Sequence, residues 1–407
     1  MESLNAWRVV GGADAGWSRD VYKISADCHA NEPSNYLTDY IEPEFRHRLP
    51  HMEDRPDGSV WLITEGNRPQ LVRAAPTDVD APRILSAQGG SRMDPEDMRR
   101  STAGKTAEAR LADQDADGVT VELIFPNKGL QCWATPDPIF AAAMCRAWNR
   151  WSYEAFDGAD GWNNGRTIPV ACVAAGDANE AMTEIRWAAD HNAKGLCFGN
   201  SPVYGPKIWG HLEYNDPSFE PVWSLVAETG LPITFHVSTG RDPRAVGGPG
   251  GAITNYVCHS METTIEPIVQ LITAGVLERH PTLQAGMVES GIGFVPWLLE
   301  TMDYAHKAHH FWVKPTLKEL PSTYFRQQCF ATFQEDHVGL RNVEDDDLAG
   351  VLMWANDYPH HEGSWPHSSA SIERQMSHLS DQSRANILGL NAARIFKLPV
   401  PNRPVPV

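Results

Sequence analysis

A chain of 407 residues that is 42% hydrophobic and 21% charged can bury a sizeable core, and its formal net charge of −18 argues against nucleic acid or an anionic membrane as a partner. No run reaches the roughly 18 apolar residues of a membrane span, and residues 1–20 lack the basic start and apolar stretch of a signal peptide. The seven cysteines are scattered, with no C-x-x-C pair, so free thiols in a reducing compartment are expected, the cytoplasm by default.

Eight short apolar, β-rich segments recur at 21–26, 119–125, 167–173, 195–198, 232–235, 283–288, 329–333 and 351–354. Several are continuous apolar runs, as strands buried on both faces should be. Helical periodicity fills the gaps. Residues 139–156 set Phe140, Met144, Trp148 and Trp151 on one face, and Asp177 with Glu180 opens 178–192 as a capping box. Asp216-Pro217 starts a helix with Phe219, Trp223 and Val226 as its stripe and Gly230 as its stop; helices also fit 260–274, 293–305 and 383–396. Eight alternations of strand and helix predict a single α/β domain, a (β/α)8 barrel. Residues 42–118, long and proline-rich, read as an insertion after the first strand, only partly helical. The glycine-rich 239–255 reads as a loop covering a site, and 399–407 as an extended tail.

In such a barrel the chemistry sits at the carboxyl ends of the strands. Those exits hold Asp27 and His29 (SADCH), Asn127 and Lys128, Asn200, His236 (ITFHVS), Glu289 (GMVESG), Gln334 to His337, and Asp357 (WANDYPHHEG). Each alone is weak. Their joint appearance after strands one, five, six and eight implies a compensating cation, since packed carboxylates repel. The i, i+2 spacing puts Asp27 and His29 on one face of the strand and Cys28 on the other.

Together, SADCH with NEP after it, RLADQDADGV, FHVSTG, VESGIGFVPWLLETMDY, ATFQED and NDYPHHEG resemble the amidohydrolase superfamily. The branch is the one containing aminocarboxymuconate-semialdehyde decarboxylase and the resorcylate decarboxylases, and the resemblance spans about residues 24–396. It implies a divalent metal on the positions matched by Asp27, His29, His236 and Asp357. The chain departs from the superfamily in two places: Glu289 stands where a histidine is common, and the fourth strand has no lysine to carbamylate, since Lys194 precedes it.

Carboxylates with imidazoles and no thiolate suit zinc, manganese or iron. Asp27, His29, His236, Glu289 and Asp357, with a sixth donor among His259, His337, His360 and His361, suffice for two ions, and His337 and His360 are taken into the candidate set. A smaller barrel group with the same glutamate contains non-haem di-iron monooxygenases acting on CoA-linked acids, and this likeness accounts for Glu289. The reading favoured from sequence is therefore an iron monooxygenase hydroxylating a bulky organic acid, free or as its CoA thioester, with Glu289, Asp357 and His236 as catalytic residues. The alternative is a metal-dependent hydrolase or non-oxidative decarboxylase, and a barrel that merely binds a ligand is the non-enzymatic reading. Arg241 and Arg244 are expected to clamp a substrate anion, Asn200 to contact substrate, and Trp297 and Trp365 to wall its cavity. The N–H groups of residues 290–293 offer an anion site. A homo-oligomer is allowed.

Overall fold

The computed structural model describes residues 21–66, 69–73, 75, 99–100, 102–157, 165–204, 212–240, 246, 248–309, 312 and 314–401. The described residues form twelve strands, with helices between most of them: β1 Ile24–His29, β2 His51–Asp54, β3 Val60–Ile63, β4 Gln70–Arg73, β5 Val121–Phe125, β6 Thr167–Pro169, β7 Ala171–Val173, β8 Leu196–Phe198, β9 Ile233–His236, β10 Ala285–Val288, β11 Cys329–Phe333 and β12 Leu352–Trp354. All pairings among β1 and β5–β12 are parallel.

The strand predicted over 167–173 is divided at Val170. Pro169 has no N–H to continue a ladder. The Val170 N–H bonds back to Ile124 while the Ala171 N–H bonds forward to Gly195, at 3.0 Å each. One strand therefore serves β5 with its first half and β8 with its second. At the other joint, β12 runs alongside β1: the Asp357 N–H bonds to the Asp27 carbonyl at 3.1 Å, and the His29 N–H to the Tyr358 carbonyl at 2.6 Å. The ring of eight parallel strands is thereby closed into a TIM barrel. Its amino-terminal end is plugged from the last helix by Phe396, which meets Phe330 edge-on at 5.7 Å and lies against Gly195.

The predicted helical stripes become the barrel's outer packing. Helix Pro138–Asp157 buries Phe140, Met144, Trp148 and Trp151. Asp177 caps Ala178–Asp190 by accepting from the N–H groups of Asn179 and Glu180, but the Glu180 carboxylate pairs with Arg146 instead of closing the box. Gly230, with φ +64°, ends Glu220–Thr229.

Two expectations need correction. The insertion carries a three-stranded antiparallel sheet, β2-β3-β4, which the sequence reading missed: its strands have four residues each, and β2 is exposed along its whole length, so no alternation marks it. The stretch read as a loop to residue 255 turns helical earlier, at Gly251–Tyr256, and continues through a π-helical turn, Val257–Met261. Among the described residues no helix is long and apolar enough to cross a membrane.

Candidate metal centre

Six side chains from four strand exits converge at the carboxyl-terminal mouth. One group contains Asp27, His29, His236 and Glu289; a second contains His29, Glu289, Asp357 and His360; within each, the ligand atoms lie within 4.8 Å of one another. Asp27, His29, His236 and Asp357 are completely buried, and Glu289 nearly so. As the i, i+2 spacing predicted, Cys28 points the other way, into a small cluster with Ala103, Tyr358 and Trp365.

The hydrogen bonds fix what these groups offer. The His29 Nδ1 lies 2.8 Å from the Pro126 carbonyl, and the His236 Nδ1 lies 2.8 Å from the Val237 carbonyl. A carbonyl only accepts, so each Nδ1 carries a proton and each ring turns its Nε2 inward. Those nitrogens face carboxylate oxygens. The His236 Nε2 is 3.2 Å from Asp27 Oδ1, and the His29 Nε2 is 3.6 Å from the same atom and 3.3 Å from Asp357 Oδ1. Acceptor against acceptor in a buried site is unfavourable unless a cation or a proton lies between them. Asp27 Oδ2, His29 Nε2 and both Asp357 oxygens have no hydrogen-bond partner among the described residues. The donor set thus fits a divalent metal.

Without metal, the site holds its charge down with protons. Burial, reinforced by Asp357 and Asp27, pushes the Glu289 carboxyl well above the usual carboxylate range. Burial, with His360 alongside, keeps His29 well below the usual imidazole range. Burial alone would lower His360 too, but Asp357 at 3.1 Å outweighs it and draws His360 up to about 9. The His360 ring stacks on His29 at 3.9 Å. Both Glu289 (φ +62°) and Asp357 (φ +51°) adopt left-handed backbone, the strained geometry that lets a chain turn sharply while aiming a side chain at a site.

Other candidates fall elsewhere. His337 is exposed at the start of a four-residue helix, because Asp336 before it caps that helix and turns it outward. His259 binds Asn255 on its own helix, and His361 pairs with Glu362 on the surface. Trp297 is 61% exposed on the outer helix Val295–Ala308 and walls no cavity, whereas Trp365 is buried beneath Tyr358. The Asn200 amide donates to the His236 carbonyl at 3.0 Å and to Thr263, so it braces a strand exit, leaving only its Oδ1 unpartnered. The anion site expected at 290–293 is already filled, since Asp336 accepts from the N–H groups of Ile292 and Gly293 at 2.7 Å. Arg241 and Arg244 lie outside the described residues.

Sequence reasoning missed Tyr256, whose side chain reaches Glu289 from the helix after the glycine-rich segment. Its hydroxyl is held protonated by burial and by the carboxylates around it. No signal marked it, because Tyr256 lies 20 residues past its strand.

The fold has known counterparts. An amidohydrolase from Mycobacterium avium subsp. paratuberculosis superposes with a TM-score of 0.74 at 22% identity, covering 93% of this chain and 99% of its own. The 5-carboxyvanillate decarboxylase of Sphingomonas paucimobilis gives 0.62 at 22% identity, covering 93% and 100%. That of Novosphingobium aromaticivorans, solved with bound manganese and a nitrobenzoic acid, gives 0.65 at 16% identity, covering 93% and 98%. No curated protein matches in sequence. The amidohydrolase family profile matches residues 26–398, from the strand bearing Asp27 to the residues after the Phe396 plug, so the chain belongs to the amidohydrolase family.

Proposed function

We propose that this protein is a metal-dependent decarboxylase that removes carbon dioxide, without oxidation, from a small aromatic acid. The observation that carries this reading is the facing of imidazole Nε2 atoms and carboxylate oxygens in one buried mouth, a site built for a cation and open to an organic anion. The resemblance in fold to two carboxyvanillate decarboxylases, one with manganese, supports the reaction class and favours manganese over iron. The oxygenase favoured from sequence has no such support.

Asp27, His29 and His236 would hold the ion, with Asp357 on the β12 side. A divalent ion bound there would supply Lewis acidity toward the substrate's oxygens. The chain supplies the proton. When the bond from ring to carboxylate breaks, its electron pair stays on the ring carbon and carbon dioxide leaves; a proton must replace it. Glu289, protonated because it is buried among carboxylates, is the group placed to give that proton and to regain one from solvent. Seven free cysteines, six of them buried, suit a cytoplasmic setting.

One observation favours the oxygenase as a second reading: His360 completes a second donor group that shares His29 and Glu289 with the first, enough for two ions. Metal analysis and turnover of a panel of hydroxybenzoates and acyl-CoA esters, with and without oxygen, separate the readings. The decarboxylase predicts one manganese or zinc per chain and equal anaerobic release of carbon dioxide. Two irons per chain and turnover only with oxygen and a reductant would overturn it.

A further inference from the structure

The barrel's closing seam is held from outside by one helix. Helix Ala107–Asp117 turns Arg110, Asp113 and Asp117, spaced i, i+3 and i+7, toward the joint between β1 and β12. The Arg110 guanidinium is fully buried. It pairs with Glu122 on β5 at 2.6 Å, donates to the His29 carbonyl, and lies over the Tyr358 ring, 4.8 Å from its centre. Tyr358 donates its hydroxyl to Asp113 at 2.6 Å. Asp117 accepts from the Asn356 amide at 3.2 Å and from the backbone N–H of Ser368 at 3.0 Å. Thus three residues of RLADQDADG grip His29, Asn356 and Tyr358, which are, or flank, candidate ligands of β1 and β12.

The direct ties between those two exits are two backbone hydrogen bonds and the Ser25–Asn356 pair. The seam has a single bridge, Cys28 to Tyr358, where the other joints have ladders. His29 and Asp357 approach each other across this joint. A buried cation bridging both sides is the economical way to fix their separation, because one planar guanidinium bonds Glu122 and His29 and stacks on Tyr358 at once.

We propose that Arg110 is a positioning residue for the metal centre, setting the distance between the β1 and β12 ligands without touching the ion. The proposal rests on the mouth being a metal site. Arg110 acts through the His29 carbonyl and the Tyr358 ring, and Glu122 is its buried counter-charge.

The test is manganese binding to chelator-stripped full-length protein by calorimetry. Arg110→Met combined with Glu122→Gln removes the clamp without stranding a buried charge. Arg150→Met with Glu184→Gln is the control, a half-buried pair between two outer helices remote from the mouth. The clamp variant should bind manganese on the order of 10- to 100-fold more weakly, the usual cost of losing support behind a ligand, and the control should bind like the parent. Equal affinity in the clamp variant, or equal loss in both, would overturn the proposal. If the clamp variant does not fold, Arg110→Lys decides, since it keeps the buried charge but loses the planar fork: a loss of roughly fivefold, the worth of one hydrogen bond, supports the clamp, and unchanged affinity rejects it. A parent chain that binds no divalent ion would sink the metal site itself, a separate result.

Discussion

The two sides of the mouth are built differently. On the β1–β12 side, Asp27, His29 and Asp357 are completely buried, and the backbone carrying them is tied to Arg110, Asp117 and Ser25. On the β9–β10 side, His236 is oriented by the next residue's carbonyl and braced by Asn200, while the Glu289 N–H is held by the Thr332 hydroxyl. Above Glu289 stands Tyr256, on a helix that passes into a π-helical turn joined to the β9 exit by a 3.3 Å contact between Ser238 and Ser260. The first side has the rigidity to hold an ion. The second presents a group whose protonation changes next to a mobile proton source, solvent. A π-helical turn beside a site is itself a recurrent mark of function. Under the proposed function, the first side holds the ion together with His236, and Glu289 on the second moves the proton.

The largest effects should come from the holding residues. His29→Ala and His236→Ala are each expected to weaken manganese binding and turnover by more than about 100-fold, beyond the cost of losing a supporting residue. The barrel should stay folded, because its main core lies between strands and outer helices, away from the mouth. Circular dichroism and metal titration check this together. A variant that keeps full metal occupancy would remove that residue from the ligand set.

Glu289→Gln sharpens the contrast. If Glu289 moves the proton, turnover should fall by about 100-fold or more, while manganese affinity changes less than roughly tenfold, since a neutral amide still offers an oxygen. Comparable losses in both would make Glu289 a ligand and favour the two-ion reading. The same variant carries a pH signature. A group whose folded pKa is raised contributes stability that is present below its unfolded pKa and is lost as pH rises through the folded value. Glu289 is raised well above the carboxylate range and His360 from 6.5 to about 9. The metal-free protein should therefore lose thermal stability from about pH 6.5 to 9, and manganese should bind more tightly over that range as it displaces those protons. In Glu289→Gln the decline should be shallower, with the His360 share remaining. A metal-free stability that rises over this window would contradict the protonation assigned to both groups.

Much of this was legible in the sequence, for a physical reason. Strands buried on both faces leave continuous apolar runs, and the residue just beyond each run must lie at the mouth, so Asp27, His29, His236, Glu289 and Asp357 could be placed by position alone. What failed was whatever depended on orientation after a turn. His337 and His360 both follow a strand by a few residues, but Asp336 caps a helix and carries His337 outward, while the left-handed Asp357 folds the chain back and returns His360 to the ion site. Tyr256 and the Arg110 clamp reach the site from helices far along the chain, and tertiary packing alone brings them there. The reaction class was the hardest to read, because the same donors serve more than one chemistry.

The smallest effect expected is at Trp297, and it tests the boundary of the site. A tryptophan a few residues after Glu289 was read as a wall of the substrate cavity, yet it stands on the outward face of Val295–Ala308. Its position follows from the helix period: Val295, Leu298, Leu299 and Met302 take the buried face, which leaves position 297 toward solvent. Trp297→Ala should change stability by no more than about 0.5 kcal/mol, as surface substitutions do, and leave kcat and KM unaltered. A KM that rises several-fold with kcat intact would instead bring substrate, or a second copy of the chain, out to this helix. The mouth would then extend beyond the strand exits, and the division between a holding side and a proton-moving side would need a third, substrate-binding surface.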